Sequence, residues 1–115
     1  ITVAQFGLGR FVGGEPAPED REAAQQGLQD IRRALVSGAY DLVVGDEANV
    51  AASRGLIEEA DLLALIDLRP PQVELVLTGR GAPAVVLARA DLVTEMRAVR
   101  HYYDRGVAAR VGIEK

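Results

Sequence analysis

The run Asp41-Leu42-Val43-Val44-Gly45-Asp46 constrains this chain most. Its middle is continuously apolar rather than alternating, as in a strand buried on both faces of a parallel sheet. The sequence around it alternates between strand-like and helix-like segments. Residues 1–6 read as a short strand, with β-branched side chains at Ile1, Thr2 and Val3, broken by Gly7-Leu8-Gly9. A Gly- and Pro-rich connection follows. Pro18-Glu19-Asp20 then opens a helix, because proline presets the first turn and the carboxylates favour its positive end. Ala24, Leu28, Ile31 and Leu35 recur at helical spacing inside it, and Gly38 fits just past its end.

Beyond the central run, residues 57–68 form a second helical stretch rich in Leu, Ala and Glu, stopped by Arg69-Pro70-Pro71. Residues 73–78 read as the next strand, ended by Gly79-Arg80-Gly81. Pro83 starts a short helix over residues 84–89. Residues 91–99 are strand-like: Leu92, Thr94, Met96 and Ala98 alternate with Val93, Glu95, Arg97 and Val99. In the tail, Val107, Val111 and Ile113 fit a last edge strand or a packed extension. Strand and helix thus alternate along one domain, residues 1–115. The expected architecture is a three-layer α/β/α sandwich, a mostly parallel sheet with helices on both faces.

Composition excludes several classes. The chain has no Cys, so it has no disulfide framework, thiolate metal site or cysteine nucleophile. Seventeen acidic side chains against 13 basic ones leave a net charge of −4, which argues against broad charge-driven nucleic-acid binding. No apolar run approaches the ~18 residues of a membrane span. The first residues carry no basic stretch before their apolar part, so they do not read as a signal peptide, and a cytoplasmic protein is expected.

In open α/β sheets ligands bind beyond the C-terminal ends of the strands. Asp46-Glu47 follows the central run. Adjacent carboxylates there suit Mg²⁺, which prefers hard oxygen ligands held by a rigid strand; an acidic loop capping the next segment is the alternative. Thr78-Gly79-Arg80-Gly81 follows the third strand. Its glycines let the backbone approach a ligand closely, and the forked guanidinium of Arg80 suits a phosphate; a tight turn with a solvated Arg is the alternative. Arg97, Arg100, Arg105 and Arg110 make the densest basic stretch and include His101, the only histidine. This stretch suits a polyanion, or else a solvated edge balancing the acidic helices. Gly7-Leu8-Gly9-Arg10-Phe11 fits a ligand-facing loop. No G-x-x-x-x-G-K-[ST] run is present, and the only lysine is Lys115.

Taken together, several segments resemble the ATP:corrinoid adenosyltransferase family. Tyr40-Asp41-Leu42-Val43-Val44-Gly45-Asp46-Glu47-Ala48-Asn49 looks like that family's acidic strand. Arg69-Pro70 followed by Val76-Leu77-Thr78-Gly79-Arg80-Gly81-Ala82-Pro83 resembles its next strand and turn. Ala90-Asp91-Leu92-Val93-Thr94-Glu95-Met96-Arg97 matches, as does the tail from Arg100-His101 through Asp104, Gly106-Val107, Ala109 and Gly112-Ile113-Glu114.

The resemblance implies a P-loop protein with a RecA-like parallel sheet, of which this chain would be the C-terminal two-thirds, without the phosphate loop and the strand before it. It implies transfer of the 5′-deoxyadenosyl group of ATP to the Co(I) of cobalamin or a related corrinoid, with loss of triphosphate. By position, Asp46 and Glu47 would serve Mg²⁺, while Thr78, Gly79 and Arg80 would lie near ATP. Gly9 and Phe11 would approach the corrinoid, and Arg100 and His101 would match the family's basic-His pair. A corrinoid reductase as partner and a homo-oligomeric state are further expectations. The chain alone is expected to be weakly active or inactive. A non-catalytic corrinoid- or nucleotide-binding relative, or a subunit of a larger assembly, is the alternative; a generic Mg²⁺-dependent nucleotide hydrolase is another.

Overall fold

In the computed structural model, residues 1–8 and 14–113 are described. Helix α1 spans Pro18–Val36, strand β1 Leu42–Gly45, α2 Ala48–Ser53, α3 Glu59–Leu68, strand β2 Glu74–Leu77 and α4 Ala84–Arg89; a 3₁₀ turn covers Tyr102–Arg105. The strands pair in parallel, with Leu42 opposite Glu74 and Gly45 opposite Leu77. The α/β class is therefore as expected.

Local chemistry explains the helix limits. Asp20 reaches back so that its Oδ2 accepts the Ala17 N–H at 3.1 Å, while Ser37 donates its hydroxyl to the Ala34 carbonyl at 2.9 Å. Asp61 does the same for α3, accepting the Glu58 N–H at 3.0 Å. Ile57, just before that cap, and Leu62, on the next turn, lie in one buried cluster, the arrangement of a hydrophobic staple. Asp61 also faces the guanidinium of Arg32 at 3.5 Å, which links α3 to α1. Arg89 pairs with Asp67, linking α4 to α3.

The core is made by Leu28 and Leu35 of α1, Val43 of β1, Ala48, Ile57, Leu62 and Leu65 of the crossover, Val73 and Val86. Along β1 burial alternates strictly: Val43 is 8% exposed, whereas Leu42 and Val44 are 53% and 50% exposed. Val76 of β2, on the same outward face, is 43% exposed. The expected burial on both faces is thus corrected. Among the described residues the helices cover one face, giving two layers rather than three. Gly45 points into the covered face, where a Cβ would lie 3.1 Å from Leu77 and 3.3 Å from Ile31; its lack of a side chain lets α1 sit close to the sheet.

Other expectations are corrected too. Residues 1–6 are not a strand. They share a groove with β1, lined by Thr2, Ala4, Phe6, Tyr40, Leu42 and Val44, instead of bonding to its edge. Phe6 anchors the segment on α1, where a Cβ on Gly27 would meet the ring at 3.0 Å. The helix expected over 57–68 begins at Glu59, and α2 precedes it, separated by Gly55 at φ +68°. Residues 91–99 and the described part of the tail, 101–113, form no strand; Leu92, Met96, Val99 and Val111 are exposed. A strand needs a partner for its backbone groups, and none of the described residues offers one there. No helix among the described residues is long and apolar enough to cross a membrane.

The one-sided sheet has a direct test. Val43→Ala is expected to cost about 1–2 kcal/mol, because it opens space in the core, whereas Val44→Ala should stay within about 0.5 kcal/mol. Urea denaturation of the two variants measures the contrast, and equal costs would contradict the burial pattern.

Candidate functional site

Parallel pairing brings the C-terminal ends of β1 and β2 side by side, and the chain leaves both strands there. Thr78, the first residue past β2, donates its backbone N–H to the Gly45 carbonyl at 3.1 Å, which extends the ladder by one bond. Its hydroxyl then donates to Asp46 Oδ1 at 2.6 Å and accepts the Glu47 N–H at 2.9 Å. One hydroxyl therefore ties together the acidic pair that follows β1.

Glu47 turns the chain from β1 into α2. It sits at φ +57°, and it is the only non-glycine residue at positive φ among those described. Left-handed backbone costs an ordinary side chain about 1–2 kcal/mol. The Thr78 hydroxyl, bonded to the N–H of this same residue, helps to hold it there.

Asn49 completes the junction. It is only 6% exposed. Its backbone N–H donates to the Thr78 carbonyl at 3.1 Å and its side-chain amide to the Leu77 carbonyl at 3.3 Å. Its Oδ1 is buried without a partner among the described residues, and an unmet buried acceptor costs about 1–3 kcal/mol.

The loop after Thr78 lies against α2. Gly79, at φ +118°, passes so close that a Cβ would stand 3.1 Å from the Val50 nitrogen and 3.3 Å from the Glu47 Cα. Such contact with backbone excludes any larger residue. Gly81, at φ +69°, similarly faces Ser53. Between them Arg80 is exposed and makes no ion pair among the described residues, so its guanidinium is available to an anion.

The structure thus brings together Asp46, Glu47, Thr78 and Gly79, with Arg80 on the same loop. It does not bring Arg100 and His101 to them: neither bonds to a junction residue among those described. His101 instead caps the 3₁₀ turn, its Nδ1 accepting the Tyr103 N–H at 3.0 Å, and its ring lies 4.6 Å from that of Tyr102. The Arg110 guanidinium stands 5.4 Å from the centre of the Tyr102 ring. Gly9 and Phe11 lie outside the described residues. Asn49 carries no site motif in the sequence; its only signal is a lone amide in the otherwise small and apolar Ala48-Asn49-Val50-Ala51-Ala52.

For a divalent cation the donor set fits. Mg²⁺ is commonly held by one or two carboxylates, with phosphate oxygens and waters completing its shell. Asp46 and Glu47 are adjacent and exposed, and one Asp46 oxygen is already oriented by Thr78. The described residues contain no group of three or more His, Cys, Asp or Glu that would make an all-protein cage.

The family model described as ATP:corrinoid adenosyltransferase BtuR/CobO/CobP matches residues 1–114. The corrinoid adenosyltransferase of Escherichia coli K12 is 32% identical over 95 residues, covering 83% of this chain and 48% of the relative. That of Pseudomonas aeruginosa is 44% identical over 73 residues, covering 64% and 36%. An uncharacterized protein of Nostoc is 35% identical over 102 residues, covering 88% and 27%. The chain therefore spans about half the length of these relatives or less.

The strained turn yields a prediction. Glu47→Gly relieves the left-handed backbone but loosens the unfolded chain, so a net gain of up to about 1 kcal/mol is expected. A fall in the urea midpoint would show that the Glu47 side chain contributes more than the strain costs.

Proposed function

Since the chain belongs to the ATP:corrinoid adenosyltransferase family, we propose that it carries the nucleotide-facing acidic junction of an adenosyl-transfer site. The observation that supports this best is the bond from Thr78 to Asp46, which holds a carboxylate at the C-terminal end of a parallel strand pair. In the proposed reaction the Co(I) of a corrinoid bonds to C5′ of ATP while the C5′–O bond breaks. The electron pair of that bond leaves with triphosphate, and cobalt ends as Co(III) bound to carbon.

The chain's own residues position and neutralise. Asp46 and Glu47 would hold Mg²⁺, which supplies charge neutralisation for the triphosphate. Thr78 keeps Asp46 oriented, so the carboxylate need not reorganise when the nucleotide arrives. Gly79 and Gly81 hold their loop close to α2, and Arg80 offers phosphate oxygens a forked donor. Gly9 and Phe11 would approach the corrinoid, and Arg100 and His101 would lie near the site as a basic-His pair.

A RecA-like P-loop architecture belongs to the same proposal; Leu42, Val44 and Val76 form the apolar face that a third layer would cover. With it we place a corrinoid reductase as partner, self-association and a cytoplasmic location. The chain alone is proposed to be weakly active or inactive.

Titration calorimetry with ATP is the test. Weak binding that requires Mg²⁺ is expected, reduced about tenfold or more by Asp46→Asn, a loss of at least ~1.4 kcal/mol. Binding that ignores both Mg²⁺ and the substitution, or no binding at all, would overturn the assignment.

A further inference from the structure

We propose that Asn49 is the positioning residue of the Asp46–Thr78 pair; for the site's chemistry this rests on the function proposed above. The two carbonyls that Asn49 binds belong to the peptide units on either side of the Thr78 Cα. The peptide before it, through the Leu77 carbonyl, takes the side-chain amide at 3.3 Å, and the peptide after it, through the Thr78 carbonyl, takes the backbone N–H at 3.1 Å. Fixing both peptides fixes φ and ψ of Thr78, and hence the direction of its Cα–Cβ bond. That direction sends the hydroxyl to Asp46 Oδ1 and to the Glu47 N–H. Asn49 touches neither carboxylate; it acts on them through Thr78.

The orphaned oxygen argues the same way. The Leu77 carbonyl accepts only a donor, so it fixes which end of the amide faces it and leaves Oδ1 buried without a partner among the described residues. An apolar side chain would fill the space without that cost. Asn49 therefore serves as a donor and not as filling.

The experiment uses the 115-residue chain and two substitutions. Asn49→Leu keeps the branched heavy-atom skeleton, at somewhat larger volume, and removes both the donor and the orphaned oxygen; Asn49→Ala removes the side chain beyond Cβ and serves if the first variant does not fold. Amide hydrogen exchange is read at Glu47, whose N–H is held by the Thr78 hydroxyl, and at Glu74, whose N–H is held by the Asp41 carbonyl at 2.8 Å at the other end of the ladder. Exchange at Glu47 is expected to accelerate roughly tenfold relative to Glu74, the weight of one lost hydrogen bond. Mn²⁺, used as the probe cation, is expected to bind the variants roughly tenfold more weakly than the parent chain. An unchanged Glu47, or equal acceleration at both amides, would overturn the proposal. So would Mn²⁺ binding equally to parent and variants. If the parent itself binds no Mn²⁺, the cation site proposed above fails, while the Glu47 exchange still decides the role of Asn49.

Discussion

Two strands that run parallel cannot be joined by a tight turn; the chain must cross back over about a dozen residues or more. From this constraint most of the molecule follows. The crossover from β1 to β2 holds α2 and α3, and with them Ile57, Leu62 and Leu65, which make up much of the core. The same constraint puts both C-terminal strand ends at one edge of the sheet, so the residues that follow them meet. Asp46 and Thr78 are 32 positions apart, yet one hydrogen bond of 2.6 Å joins them. An antiparallel pair would have sent them to opposite ends.

The junction is held by constraints that need one another. Glu47 occupies left-handed backbone, a conformation that persists only where the surroundings over-determine it. Here the surroundings are the Thr78 hydroxyl on its N–H and the Gly79 backbone against its Cα. Gly79 can pass there only because it has no side chain. The strain and the close approach sit where two carboxylates face solvent, whereas the opposite end of β1 is closed by an ordinary ladder bond from Glu74 to Asp41.

How much of this was legible in the sequence depended on whether the deciding physics is local. Pro18, the acidic first turn and the stripe through Leu28 and Leu35 specify α1 within one segment, and α1 appears where the spacing predicts it. The apolar runs of β1 and β2 are equally plain. Asp46, Glu47, Thr78 and Gly79 were readable as a group from the rule that strand ends carry function in α/β sheets. Asn49 was not, because its role is set by the carbonyls of Leu77, 28 positions away at the end of β2, and of Thr78 just beyond it. Nor was α2, a six-residue Ala-rich helix whose N-cap, the strained Glu47, makes no side-chain capping bond.

The segments that alternate like strands yet do not pair show the limit of periodicity. Residues 91–99 alternate cleanly, but Leu92, Met96 and Val99 are apolar on both sides of that alternation. Alternation describes what a segment does once paired, and it says nothing about whether an edge is within reach. The outward face of β1 makes the complementary point. Leu42 and Val44 gave the run its continuous apolar character, the mark of a strand covered twice, yet both are half exposed here. The run recorded the burial that its side chains favour, and the pairing of β1 with β2 alone decided which half of that burial the described residues achieve.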